Sequence, residues 1–286
     1  MPVEHTQSNP QLQRIPAAGQ ETAHPYDAHD AHAFQQGLAG QAPPPVAGVR
    51  FPALTDPPSS RIGHQNAQFI HNLYTSSPTF HNALNTATQD GQHPIDVHYG
   101  QVAQGHSAQW RSKHRQVVVN PIHPSLRPNG VGGLQGVTSF ELINAANRHG
   151  FEQIRNNANN GHYERTAATV NAQHPDQRPV TAGELFSHDM ESQEWQTAKT
   201  HHQAMTEAAA EGMPLFPGAD RLAPGFGDNP GGFGSWHHFD NYHAEQLATG
   251  HSQLYVDQYN QAPRLSSQGK PSQAQDNDGT DPSRRE

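Results

Sequence analysis

Cysteine is absent from all 286 residues, which excludes disulfides, thiolate nucleophiles and cysteine-ligated metal centres. Lysine is almost absent too, occurring only as Lys113, Lys199 and Lys270. With a formal net charge of −9, the chain lacks the basic face that neutralises phosphates, so nucleic acid is not expected as a partner. Hydrophobic residues are scarce at 32% and charged residues at 15%, whereas globular chains usually carry ~45–50% apolar residues. A chain this polar cannot bury all of itself, so its apolar residues must be concentrated in part of it. No run approaches the ~18 apolar residues of a membrane span. The N-terminus shows none of the three sections of a secretory signal. Export, if it occurs, is expected by a route without a cleaved signal peptide.

What fills the gap is Gln, Asn, Ala, 25 Gly, 24 Pro and 22 His. Residues 1–60 carry Pro43-Pro44-Pro45 and Pro57-Pro58 with no sustained apolar period, and residues 266–286 have no core-forming residue. Both segments are expected to be disordered, with one domain over 61–265. Phe69, Ile70, Leu73 and Tyr74 fall at helical spacing, and Ser76-Ser77-Pro78 caps a second helix striped by Phe80, Ala83, Leu84 and Ala87. Ile95, Val97 and Tyr99 alternate with polar residues as a strand, and Val117–Val119 forms another. Thr138 and Glu141 have capping-box spacing, which predicts a helix from there to about 158, kinked near Gly150. Thr181 and Glu184 repeat the box before a long helix that stops at Gly212. Beyond a Gly/Pro-rich loop over 214–234, a helix about Tyr242–Gly250 and a short strand about Leu254–Tyr259 are expected.

This order, with the strands at 95–99 and 117–119 followed by Phe140-Glu141-Leu142-Ile143-Asn144-Ala145, resembles the zincin-type metallopeptidase effectors that bacteria inject into host cells by type III secretion. Their helix reads His-Glu-Leu-Ile-His-Ala. The resemblance covers roughly residues 65–155. It implies an α+β fold of zincin-like helices on a small sheet, secretion into a host cell, and a host protein as partner. In the family an acidic residue on a later helix completes the metal site, and Glu191 or Glu194 matches it. Two histidines four apart place both imidazoles on one helix face, within reach of one zinc. Phe140 has no ligand atom, and Asn144 offers a neutral carbonyl, weak beside imidazole. Zinc hydrolysis of the family's kind is therefore not expected, and no cofactor or metal is implied.

On the long helix, Glu191, Glu194, Ala198 and His202 recur at three- and four-residue steps. Glu191 and Glu194 opposite Glu141 form a candidate acid–base cluster. Asn144, Asn147, His201 and His202 are the candidate binding residues beside it. A solvated helix face, or a buried cluster that only fixes helix register, accounts for the same spacing. Three functional readings stay open: an effector with a degenerate metallopeptidase-like domain, a hydrolase built on Glu141, Glu191, Glu194 and nearby histidines, and a plain scaffold. Trp236–His243 is dense in rings and imidazoles, and reads first as packing.

Overall fold

The computed structural model describes residues 46, 48–51, 57–89, 94–102, 107–124, 126, 130–220, 222–226 and 236–262. Nearly all of the expected N-terminal disorder, and all of residues 266–286, lie outside the described residues. The fold is α+β, mostly helical with one small mixed sheet. Its strands are β1 (Val49–Arg50), β2 (Ile95–Tyr99), β3 (Ala108–Arg111) and β4 (Gln116–Val119), in the order β1-β2-β4-β3. β1, β2 and β4 are parallel, with Val97 opposite Val117 and Tyr99 opposite Val119. β3 runs antiparallel to β4, with Trp110 opposite Val117, and forms one edge of the sheet.

The alternation read from Ile95 to Tyr99 has the expected result: Ile95 and Val97 are buried, whereas Asp96 turns outward and accepts two bonds from the Arg50 guanidinium, at 2.7 and 2.9 Å. Val46 and Val49 are buried in the same core as the sheet and first helices. The folded unit thus takes in residues ahead of the expected boundary at 61.

Helices α1 (Pro57–Ser76) and α2 (Pro78–Thr88) follow β1. Ser77 caps α2 as its position before proline predicts, its hydroxyl accepting from Phe80 N at 3.0 Å. The next helix differs from expectation. α3 spans Gly130–Ala146, so Thr138 is not a cap but sits mid-helix, buried, donating to the Leu134 carbonyl at 2.8 Å. The break falls at Asn147, ahead of Gly150, and α4 continues over Arg148–Asn159. Gly132 and Gly136 let the 214–220 loop lie directly on α3: a Cβ would sit 2.0 Å from the Pro217 carbonyl oxygen at the first and 2.5 Å from that of Ala219 at the second.

α5 (His162–Gln173) precedes the long helix α6 (Ala182–Ala210). There the predicted box is present: the Thr181 hydroxyl accepts from Glu184 N at 3.2 Å, and the Glu184 carboxylate accepts from Thr181 N at 2.8 Å. A single turn, α7 (Ala223–Phe226), interrupts the expected loop. α8 (Phe239–Thr249) and α9 (His251–Gln261) form a helical hairpin about Gly250, whose φ is +78°. The strand expected at Leu254–Tyr259 is therefore helix, burying Ser252, Tyr255 and Tyr259 at three- and four-residue steps.

α6 joins two apolar clusters. Its C-terminal half gives Ala204, Met205 and Ala208 to the core around the sheet, α1, α2 and α3. Its N-terminal half gives Phe186 and Met190 to a cluster with Phe151, Ile154, Tyr163, Tyr255 and Tyr259. Between them the buried face of α6 is polar, carrying Glu191, Thr197 and His201, each 0% exposed.

Candidate functional site

A buried polar group on a helix must find a partner or cost several kcal/mol, roughly 2–7 for an amide or hydroxyl. Along α6 the partners come from three elements. Asn147 donates to Thr197 Oγ1 at 2.8 Å. Ser139 Oγ lies 3.0 Å from His201 Nε2, and its own proton goes to the Gln135 carbonyl at 2.9 Å. His201 is thus an interior residue between α3 and α6, with the Phe140 ring edge-on to it at 5.9 Å. His202 turns to the other side and pairs with Asp220 at 2.8 Å, stacking on Phe226. Neither histidine lines the cleft described below, nor does Asn147. The expectation that these three join the carboxylates is corrected: His201 and His202 lie about two to three turns further along α6 than Glu191 and Glu194, against other elements, and Asn147 sits at the α3–α4 break.

Glu191 and Glu194 do come together, with α9. Glu191 Oε1 lies 3.0 Å from His251 Nδ1 and accepts from Ser252 Oγ at 3.0 Å. Glu194 accepts from the Tyr255 hydroxyl, and His251 Nε2 stands 3.9 Å from Glu194 Oε2. Burial pushes the Glu194 carboxyl above its ordinary range, against the opposing pull of His251. Burial alone lowers His251, but the Glu191 bond and the two carboxylate charges outweigh it, so its pKa is raised. Burial and the charge of Glu194 raise Tyr255. His251 and Ser252 fall between the expected helix ending at Gly250 and the expected strand at Leu254–Tyr259, and Tyr255 falls inside that strand; the helical spacing of Ser252, Tyr255 and Tyr259 after Gly250 is the signal that identifies them.

Glu141 belongs to the wall facing this cluster. Its Oε2 accepts from Trp110 N in edge strand β3 at 2.9 Å and from Asn144 Nδ2 at 3.2 Å. A cleft of about 520 Å³ opens between these elements, with Trp110, Glu141, Asn144, Arg148, Glu194 and Tyr255 among its lining residues. The sequence-named Glu141, Asn144 and Glu194 share this space; Glu191 lies behind Glu194. Two lining groups are buried without a hydrogen-bond partner among the described residues: the Trp110 indole Nε1 and Asn144 Oδ1. The bond from Asn144 Nδ2 to a carboxylate fixes which end of the amide is which.

The zinc centre of the resembled family does not fit these residues. Phe140 packs on His201, and Asn144 turns its amide nitrogen to Glu141. The rings at Trp236–His243 serve packing: Trp236 meets Phe226 and Tyr242 edge-on, and its indole donates to Glu245 at 2.7 Å. Comparison with protein-family models, curated proteins and solved structures finds no match to this chain.

Proposed function

We propose that this chain is a bacterial effector, delivered into a host cell, whose zincin-like domain binds an extended segment of a host protein in the β3 cleft. The observation that carries the binding reading is that two residues lining one cleft beside a sheet-edge strand, Trp110 and Asn144, each keep a buried polar atom unpaired, a donor at Nε1 and an acceptor at Oδ1, which a bound segment reaches when these side chains turn toward it. A peptide group offers one carbonyl and one N–H, and edge strands recognise extended chains through such groups. The delivery reading draws on the resemblance around Phe140–Ala145 and on the polar, proline-rich first 45 residues. Hydrolysis through zinc on the α3 turn has no ligand set there.

A second reading, acid–base hydrolysis by Glu141 and Glu194, has one observation in its favour. Both carboxyls line the cleft, and burial holds a proton on Glu194 at a pH where an exposed carboxyl has lost it. Against it, Glu141 is already engaged by Trp110 N and Asn144.

Delivery is tested by fusing the chain to a translocation reporter and removing residues 1–40, which spares the core residues Val46 and Val49. Loss of translocation is expected; undiminished translocation would remove the effector reading. Binding is tested with Trp110→Phe, which deletes the indole N–H and keeps a ring. That variant should fold normally and lose the host-cell effect of the intact chain.

A further inference from the structure

Behind the cleft lies a second cluster, which shares Glu194 with it but does not depend on the peptide reading. Among the described residues, one group brings three metal-capable side chains together: Glu191, Glu194 and His251, with one ligand atom from each within 4.8 Å of the others. None of the three lies in the Phe140–Asn144 stretch. Two carboxyl groups face one imidazole, and a divalent cation bound between them would favour the ionised form of both. Glu191 is 0% exposed; its Oε1 has both His251 and Ser252, whereas Oε2 has no donor in good hydrogen-bond geometry, although the buried Tyr242 hydroxyl also interacts with this carboxylate. A buried carboxylate oxygen without a donor costs more than most interior groups tolerate. The 3.9 Å between His251 Nε2 and Glu194 Oε2 is too long for a hydrogen bond. It is a spacing that a shared cation accommodates: two ligands at bond lengths of ~2.1 Å stand at most about 4.2 Å apart.

We propose that Glu191, Glu194 and His251 form a binding site for a divalent transition-metal ion, zinc or manganese. The donor set selects the class. Carboxylates suit Mg²⁺, Ca²⁺ and Mn²⁺, imidazole suits zinc and its neighbours, and a site offering both favours ions that accept both. A small closure of the side chains brings the widest of the three separations within bonding range. Glu194 also lines the peptide cleft, so an ion held by the three residues would adjoin it.

The 22 histidines of the full chain will hold zinc loosely elsewhere, so the site is read by difference. Mn²⁺ binding to the full-length protein is titrated by loss of the free-ion paramagnetic signal for wild type, Glu194→Gln, His251→Gln and a distant control, His202→Gln. Folding of each is checked by circular dichroism. The expected result is one bound Mn²⁺ in wild type and in the control, and at least tenfold weaker binding in the two site variants. His251→Gln, at a position about one-third exposed and expected to fold, should also abolish the nitrogen coupling in the spin-echo spectrum of the bound ion. Zn²⁺ should displace the manganese one for one. The proposal is overturned if folded wild type holds no manganese or if folded His251→Gln binds it as tightly as wild type, with an unchanged spectrum; a proton shared by the two carboxyls would then explain the cluster.

Discussion

Replacing Gly136 with alanine sets two effects of opposite sign against each other, and the structure says which prevails. Mid-helix glycine costs about 1 kcal/mol relative to alanine, so in an isolated helix the change would stabilise by that much. Here the new Cβ would lie 2.5 Å from the Ala219 carbonyl oxygen and 3.0 Å from that of Gly218, against an ordinary contact of 3.4 Å or more. The 219 carbonyl must therefore retreat by roughly 0.9 Å, the difference between 3.4 and 2.5 Å. It is not free to do so: Ala219 is fully buried, its N–H is bonded to the Phe216 carbonyl at 3.0 Å, and Asp220 next to it holds His202. Forcing atoms into a filled site costs about 1–3 kcal/mol, and the loop's anchoring puts this case toward the upper end. The net expectation is a loss of about 1–2 kcal/mol once helix propensity is offset. Gly132→Ala meets the Pro217 carbonyl at 2.0 Å and should behave alike. Because one outward shift of the same loop relieves both clashes, the double variant should cost less than the sum of the singles. Urea unfolding followed by circular dichroism measures all three. A stabilisation of 0.5 kcal/mol or more in either single variant would refute the packing reasoning.

Other outcomes follow from the caps and the polar face of α6. Thr181→Ala should cost about 0.5–2 kcal/mol by urea unfolding. The Thr181 N–H and then Arg178 hold the Glu184 carboxyl below its ordinary range; a depressed folded pKa gives stability that is present above the unfolded value and lost as pH falls through the folded one. The melting-temperature gap between wild type and Glu184→Gln should accordingly be largest near neutral pH and close toward pH ~3. Glu207 ties the start of α2 to the end of α6 by accepting from Ser77 Oγ, Thr79 N and Thr79 Oγ1 at 2.7, 2.9 and 2.6 Å, so Glu207→Ala should lose about 1.5–3 kcal/mol in the same assay. Tyr255→Phe deletes the hydroxyl that Glu194 accepts from and keeps the ring in its cluster; a comparable loss is expected, and an unchanged melting temperature would show that Glu194 is satisfied without it.

The sequence was legible where one signal governed a local segment. Ser77 before Pro78, the Thr181–Glu184 box and the alternation at 95–99 each depend on residues within a few positions, and each is present as read. The errors share a cause in contacts made far along the chain. Gly130–Gly136 lies ahead of the helix start expected at Thr138, since glycine disfavours helix, yet it is helix because the 214–220 loop needs glycine's missing side chains. Thr138 has cap spacing but lies inside that helix. Leu254, Tyr255, Val256 and Tyr259 are strand-favouring residues that α6 holds as helix by burying Tyr255 and Tyr259. At the site, Glu141 and Asn144 could be named from the resemblance of Phe140–Ala145 to the family's helix, and Glu194 from its helical step after Glu191. Trp110 and His251 could not, since strand β3 and helix α9 bring them in from 31 residues before Glu141 and 60 after Glu191. The opposite error concerns Glu191: its spacing also fits a solvated face, but it is wholly buried.

The cleft as a peptide-binding site is tested most directly by selecting random linear peptides, displayed on phage, against the full-length protein. Selected binders are then measured by calorimetry on wild type and on folded Trp110→Phe and Asn144→Leu. Binders that protect β3 amides from hydrogen exchange and lose tenfold or more in affinity to either variant, about 1.4 kcal/mol, are the predicted result. Binders indifferent to both substitutions, or a library that yields none, would contradict the account.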